Sequence, residues 1–276
     1  MKNKIKTIED LSLNAWPSHQ IQIYDGWLLR FSYFYTHRTN CIEQIGPSSI
    51  PLDDKLTYCE EIYEKWGSPA IYKINPLLDS SFDQKLTERG YHMAHVTEVM
   101  TMGLLERTPN PQPSRVILRS KISPSWLNAL FSMKGTTNQL HRTIVPSMYA
   151  AIPKDTIAAY IYDKDQIVGT GLGILDRDYI GLYAIHVHET YRGQGIGREI
   201  CCAILDAAME LSLIHISKMY AFSPSAYAIR AMLAVLFGSY SMVLTVAGIP
   251  SFLLLKSTSL YFLLLPPPRC LTVILP

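Results

Sequence analysis

Residues Arg192-Gly193-Gln194-Gly195-Ile196-Gly197 carry the clearest chemistry in the chain. They follow a strand pattern ending at Val187 and open a helix pattern at Ile196, so the unpaired amides of a helix start face a glycine-rich turn. Those amides, at the positive end of the helix dipole, suit an anion, and a pyrophosphate is the natural ligand. Gly193, Gly195 and Gly197 remove side chains that would block close approach, and Arg192 adds a fork-shaped cation. Two other nucleotide loops are excluded. A dinucleotide fingerprint needs a third glycine where Arg198 stands and an acidic ribose contact about 20 residues further on. No acidic residue follows Glu210. A Walker A loop would need Gly-Lys-Ser/Thr, which is absent. A glycine turn without a ligand is the plain alternative.

The elements that must hold this loop are legible around it. The following helix is amphipathic, with Ile196, Ile200, Ala203, Ile204, Ala207 and Ala208 on one face and Arg198, Glu199, Asp206 and Glu210 opposite. Strand patterns fall at 156–162, 167–175 and 179–187, with the polar turn Asp163-Lys164-Asp165-Gln166 between the first two. A strand at 116–119 and a helix from Ser123 to Met133, with Pro124 at its first position, precede them. Strands followed by loop and helix indicate an α+β sheet domain. Upstream, Thr108-Pro109-Asn110-Pro111-Gln112-Pro113-Ser114 reads as an extended linker, because alternate prolines exclude helix and central strand. Before it lie a short helix ending near Trp16, strands at 20–24 and 27–34 around the hairpin signal Asp25-Gly26, and a helix from Pro51 to Lys65. A strand at 70–74, a helix at 80–89 and one or two strands over 91–104 complete this region. Two domains are expected, 1–107 and 115–220, with an atypical apolar tail over 221–276.

Charge narrows the function classes. With 25 Lys+Arg against 23 Asp+Glu and no basic block, a nucleic-acid partner is not expected. The five cysteines, Cys41, Cys59, Cys201, Cys202 and Cys270, suit neither a disulfide framework nor a zinc site, and no metal is expected. The basic start Met1-Lys2-Asn3-Lys4 runs into Glu9 and Asp10 rather than an apolar run. The expectation is a cytoplasmic protein with reduced thiols.

Composition breaks after Glu210. From there to Pro276 the sequence has no Asp, Glu, Asn or Gln, and residues 231–255 hold no charge. Three readings compete. A membrane anchor fits the length of that stretch, although Gly238, Ser239, Ser241, Thr245, Gly248, Pro250 and Ser251 dilute it. An apolar core segment lacks the polar face that a globular surface needs. A shifted reading frame or foreign DNA joined near Leu211-Ser212-Leu213-Ile214-His215-Ile216 explains the abrupt change best, and the heptapeptide ending at Ser217 resembles translated sequencing-adapter sequence.

Residues 187–197 resemble motif A of the GNAT acetyltransferases, Arg/Gln-x-x-Gly-x-Gly/Ala, with Arg192, Gly195 and Gly197 at its three positions. Leu182-Tyr183-Ala184-Ile185-His186-Val187 resembles the family's fourth strand, and the resemblance spans about residues 115–220. In the first half, Trp27-Leu28-Leu29-Arg30-Phe31, Pro51-Leu52-Asp53 and Arg89-Gly90-Tyr91 resemble the N-terminal half of bacterial tandem-GNAT proteins, a half that has lost the pyrophosphate loop. The implied fold is a mixed, mostly antiparallel twisted sheet flanked by helices, with two GNAT-like domains in tandem.

The resemblance implies transfer of an acetyl group from acetyl-CoA, as co-substrate, to a primary amine of a small molecule or peptide. It places the cofactor on Ile185, His186, Val187, Arg192, Gly193, Gln194, Gly195, Ile196, Gly197 and Arg198. The backbone near Val187 would stabilise the oxyanion, and His186, His188 and Glu189 are the candidate bases. Counted at period two, His186 and His188 share a strand face with Ala184 and Leu182. The preferred reading of His186 taken by itself is an ordinary, satisfied, partly buried histidine. A metal on His186 and His188 lacks a third ligand. Tyr160, Tyr179 and Tyr183 would line the acceptor site or simply pack, and Cys201 reads as a packed residue. The family's motif B is only echoed by Ser225, Ala228 and Ile229, with Met232 near the position of a tyrosine acid and Phe237-Gly238 inverted. A non-catalytic acyl-CoA-binding protein, or the defective product of a disrupted gene, is the alternative function.

Overall fold

The computed structural model describes residues 2–104, 114–211, 218–223 and 269–274. In the first half, α1 (Lys2–Ala15) leads to a hairpin of β1 (Gln20–Tyr24) and β2 (Trp27–Phe31), then β3 (Ile42–Gln44), α2 (Leu52–Lys65), β4 (Ile71–Ile74), α3 (Ser80–Glu88) and β5 (His92–Gly103). In the second half, β6 (Ile117–Arg119), α4 (Pro124–Lys134) and α5 (Gln139–Ala150) precede three long strands, β7 (Asp155–Asp163), β8 (Gln166–Asp176) and β9 (Tyr179–Val187). Helix α6 (Ile196–Leu211) and strands β10 (Lys218–Ser223) and β11 (Arg269–Ile274) follow.

The eleven strands of the described residues join one mixed sheet in the order β1-β2-β3-β4-β11-β5-β10-β9-β8-β7-β6. Among the described residues, pairing is parallel only between β3 and β4 and between β9 and β10. Strand β10 lies between β9 and β5, so the two halves share a continuous ladder. The linker expected at 108–114 lies outside the described residues, save Ser114.

Local chemistry explains most boundaries. The Ser123 hydroxyl accepts the Trp126 amide at 3.2 Å, Pro124 opens α4, and Gly135 closes it in the left-handed region. Helix α5 is absent from the sequence reading because Pro146 interrupts its pattern. It forms nonetheless, capped by Asn138 on the His141 amide at 3.2 Å and anchored by buried Val145, Met148 and Tyr149. Strand β3 is only three residues long, too short for any periodicity to register. The apolar end of the chain contributes β11, inserted antiparallel between β4 and β5. Residues 224–268, where the anchor, core and disrupted-frame readings chiefly fall, lie outside the described residues. Among the described residues, no helix is long and apolar enough to cross a membrane.

Three cores sit against the sheet. One lies in the first half, with Trp27, Leu56, Tyr63, Tyr72 and Leu86 between α2, α3 and the strands. A second packs α6 on β7–β10 through Ile196, Ile200, Ile204 and Met219. The third is shared, bringing Ile8, Leu11, Trp16 and Val99 of the first half against Trp126, Tyr149, Tyr160 and Tyr183 of the second. Cys41, Cys59, Cys201 and Cys202 are buried, and burial pushes the Cys41 and Cys59 thiols up to about 12. Cys201, on α6, is fully buried in the core that this helix forms with the sheet.

Candidate functional site

The site is built where β9 leaves its neighbour. Strand β10 pairs with β9 only as far as Ala221 opposite Leu182, while its last two residues stay paired with β5. Residues 183–187 of β9 therefore have no strand partner on that side among the described residues, and the sheet opens there. On the other side, β8 and β9 slip register between Thr170 and Leu172, and Ala184 takes a φ of 49°. This is a β-bulge, which bends the strand and re-aims its side chains. The buried Thr170 hydroxyl donates to the Ala184 carbonyl at 3.2 Å and holds the bulge.

The bulge corrects one expectation about faces. Leu182, Ile185 and Val187 join the α6 core, whereas Tyr183 and Ala184 join the shared core on the opposite side. Leu182 thus does not lie behind His186 and Ala184, because the extra residue resets the alternation between them.

Backbone direction matters as much as side chains. The His188 amide donates to the Val168 carbonyl at 2.9 Å, toward β8. Successive amides in a strand point to opposite edges, so the Val187 amide faces the open side.

Beyond β9, Glu189–Tyr191 form a single 3-10 turn, and the glycine loop turns into α6. The Arg192 amide donates to the Glu189 carbonyl at 3.2 Å, and its Nε returns to the Val187 carbonyl at 3.2 Å. The Gln194 side chain donates to the Thr190 carbonyl at 3.3 Å. Tyr191 donates its hydroxyl to Asp163 at 2.5 Å and so ties the loop to the β7–β8 turn. Gly193 and Gly195 stand at φ 76° and 80°, where side chains are strained, although open space surrounds both. Ile196 is buried in the α6 core, so what it can offer a ligand is its amide. Gly197 lies next to Ile185 and Val187, and Arg198 is exposed.

Three glycines of β8 that the sequence reading passed over set the height of α6. A Cβ at Gly169 would lie 2.8 Å from Ile196 Cγ2, and one at Gly173 would lie 2.5 Å from Ile204 Cγ2. At Gly171 it would meet Ile200 closer still and Ile185 Cδ1 at 2.9 Å. Their period of two along one strand was the available signal, since every second residue faces the helix.

The start of α2 in the first half is different. There the Asp25 carboxylate accepts the Ser49 and Ile50 amides at 3.0 Å and 2.9 Å, and Lys55 lies 3.2 Å away as its counter-ion. That helix start already holds an anion belonging to the chain. The loop before α6 instead has its hydrogen bonds directed back toward residues 187–190, with the glycine segment open.

The three candidate bases are neighbours in unlike settings. His186 is partly buried, and its Nδ1 has no hydrogen-bond partner among the described residues. Burial first, then the charges of Lys134 and Arg192, hold its basicity below the ordinary histidine value, while the Ala184 backbone opposes the shift. His188 Nδ1 is 2.9 Å from the Thr190 hydroxyl, and its ring meets Tyr191 edge-on. Glu189 is exposed. Tyr179 is buried at the start of β9 and Tyr183 at its middle, and both belong with Tyr160 to the shared core, with Tyr183 alone of the three in the open stretch. No cluster of three or more metal-ligating side chains occurs among the described residues. The motif B positions, Ser225 to Gly238, lie outside them.

Residues 126–233 match the family model described as "Acetyltransferase (GNAT) family", and the match runs past the composition break that follows Glu210. An uncharacterized N-acetyltransferase of Bacillus subtilis (strain 168), YobR, is 24% identical over 201 residues, covering 71% of this chain and 79% of that protein. Among solved structures, a GCN5-related N-acetyltransferase from Kribbella flavida superposes with a TM-score of 0.62 at 11% identity, over 99% of this chain and 95% of its own. A tandem GNAT protein from the clavulanic acid biosynthesis pathway gives 0.56 at 11% identity, over 84% and 74% respectively. An opened strand, a glycine loop at a helix start and the match of residues 126–233 to the GNAT acetyltransferase family model coincide in the second half.

Proposed function

We propose that the second half binds acetyl-CoA in the opening beside β9 and transfers its acetyl group to a primary amine of a small molecule or peptide. The observation that carries this reading is the coincidence of the stretch 183–187, whose edge away from β8 has no strand partner among the described residues, with the open glycine loop at the start of α6. The loop amides, the helix dipole and Arg192 suit the pyrophosphate. The free edge offers backbone groups to the amides of the pantetheine arm, as a sheet edge does to an added strand. A thioester carbonyl beside Val187 would meet an amide already aimed at it, the requirement for stabilising a developing oxyanion.

In the reaction the amine lone pair attacks the thioester carbon, the C–N bond forms, and the C–S bond breaks as the oxyanion collapses. The amine loses a proton to a base, and the departing thiolate is protonated. His186 is the favoured base, since its neutral imidazole is the form that accepts a proton. His188 and Glu189 stand further along and more in solvent, where they suit a relay through water.

Release of coenzyme A thiol from acetyl-CoA, measured against a panel of primary amines, tests the proposal. Amine-dependent release with acetylated product supports it, and hydrolysis independent of any amine counts against it. A second reading, binding without turnover, is favoured by the departures from motif B and the composition break after Glu210. Tight acetyl-CoA binding with no product for any amine would select it.

A further inference from the structure

The two edges of the sheet are finished differently. Strand β6, at one end, is three residues long, with Arg119 in it and Arg115 and Lys121 close on either side. Shortness and charge are the usual means of keeping a strand edge from pairing. Strand β1, at the other end, reads Gln20-Ile21-Gln22-Ile23-Tyr24, with no charge, no proline and no register shift against β2. Its edge away from β2 has no strand partner among the described residues. The turn fixes which backbone groups that edge presents. Asp25 and Gly26 stand at φ 42° and 77°, the two left-handed residues of a tight two-residue hairpin, so the flanking pair Tyr24 and Trp27 exchanges hydrogen bonds. Alternation then turns the amides and carbonyls of Gln20, Gln22 and Tyr24 toward β2 and those of Ile21 and Ile23 outward.

Side chains follow the same alternation. Gln20, Gln22 and Tyr24 lie opposite Phe31, Leu29 and Trp27, on the face that α2 covers, where Gln22 donates to the Tyr58 hydroxyl at 2.5 Å and Tyr24 stacks on the Tyr58 ring at 3.9 Å. Ile21 and Ile23 lie opposite Arg30 and Leu28 on the other face, and they are 60% and 67% exposed. Helix α1 covers that face only further in, where the carbonyl of Trp16, just past its end, accepts from Arg30 and Glu9 meets Lys73 at 2.5 Å. Ile45, 50% exposed, donates its amide to the Gly26 carbonyl at 2.9 Å and so extends β3 by one position, on the face of Glu43 and Leu28. Three exposed isoleucines and the half-buried Leu28 therefore share one face at an open edge. An apolar patch beside unpaired backbone groups is the chemistry that a further strand satisfies.

We infer that β1 is a dimerisation edge, to which a second copy of this chain adds its own β1 antiparallel about a two-fold axis through Gln22. The strand is its own complement in that register. Ile21 of one copy faces Ile23 of the other, so the outward-turned amides and carbonyls meet in phase, and Gln22 faces Gln22 where no such groups are needed. An axis normal to the sheet keeps the isoleucines of both copies on one face, where cross-strand apolar pairs stabilise the ladder. Charge agrees as well: within the strand nothing is charged, and at its ends His19 of one copy comes opposite Asp25 of the other, so no like charges meet. A peptide from another protein would need to match the same phase, face and charge, which β1 already does for itself. The paired strip is only five residues long, smaller than a standard interface, so the dimer is weak, with a Kd of roughly 1–100 µM.

Sedimentation of the full chain over roughly 1–500 µM, a range that brackets this Kd, tests the inference and is expected to show a monomer–dimer equilibrium. Ile21→Glu and Ile23→Lys should each weaken the dimer by roughly tenfold or more, since each change acts twice across the axis. Both side chains are exposed, so the thermal midpoint of the monomer should not fall and a folding defect is ruled out separately. The combined variant, Ile21→Glu with Ile23→Lys, is specific to this register. There the introduced carboxylate of one copy faces the introduced ammonium of the other, so the double variant should dimerise more tightly than either single one, and high salt should remove the gain. A monomer at every concentration would overturn the inference and leave the edge to a strand from another protein or to none. A dimer indifferent to both single substitutions, or a double variant no tighter than the singles, would overturn it equally.

Discussion

Protonating His186 would set a cation near both Lys134 and Arg192 in a partly buried position, which is why its imidazole resists the proton below the ordinary histidine value of about 6.5. The sign follows for a base that must be neutral. The rate should stay on its plateau as pH falls to the ordinary histidine range and decline only as pH drops further, through the lowered value. His186→Gln should lower kcat/KM by about 10²–10⁴-fold and abolish that limb, with acetyl-CoA binding retained. A loss below tenfold with the limb intact would transfer the role to His188 or Glu189. At this scale the loop was legible because its signal is local: Arg192, Gly193, Gly195 and Gly197 follow a strand and start a helix within a few residues. Thr170 beneath the bulge and Asp163 on the Tyr191 hydroxyl were not legible, since each acts on a partner 14 or 28 residues away that only folding supplies.

Strand β8 and helix α6 form the platform on which the loop is carried. Gly169, Gly171 and Gly173 let three isoleucines of α6 approach the sheet, so the helix start sits at the level of the end of β9. Gly171→Ala should therefore destabilise the fold by about 1–3 kcal/mol through overpacking against Ile200 and Ile185. It should also weaken acetyl-CoA binding by tilting the first turn of α6. Adding Ile200→Val, which removes one methyl group, should recover part of both losses, as thermal denaturation and binding would show. An unchanged midpoint in Gly171→Ala would contradict this packing. The amphipathic pattern of α6 was readable from period alone, and the three long strands fell within one residue of their expected ends. The face assignment on β9 failed for a physical reason: one bulged residue at Ala184 reverses every later side chain, and nothing in the types Tyr183-Ala184-Ile185 marks it.

At the scale of the whole molecule, the two halves share one sheet and one of the cores. Strand β10 pairs with β5 across the halves, β11 enters the first half's ladder, and α1 buries Ile8 and Leu11 in a core that α4 and α5 complete. Such pairings join segments more than a hundred residues apart in sequence, beyond any local pattern, so composition could suggest two regions without revealing their common sheet. Heating should accordingly give one cooperative calorimetric transition, whereas two separated transitions would contradict the shared core. Acetyl-CoA binding tests the central claim most directly, because the open edge of β9 and the glycine loop were joined on the premise that one ligand spans both. Titration calorimetry on the full chain should show one site per chain for acetyl-CoA. Gly195→Asp, which puts an anion against the pyrophosphate, should abolish the heat while leaving the unfolding transition in place. Equal affinity in the intact protein and in Gly195→Asp, or no binding by the intact protein, would contradict the assignment of this loop.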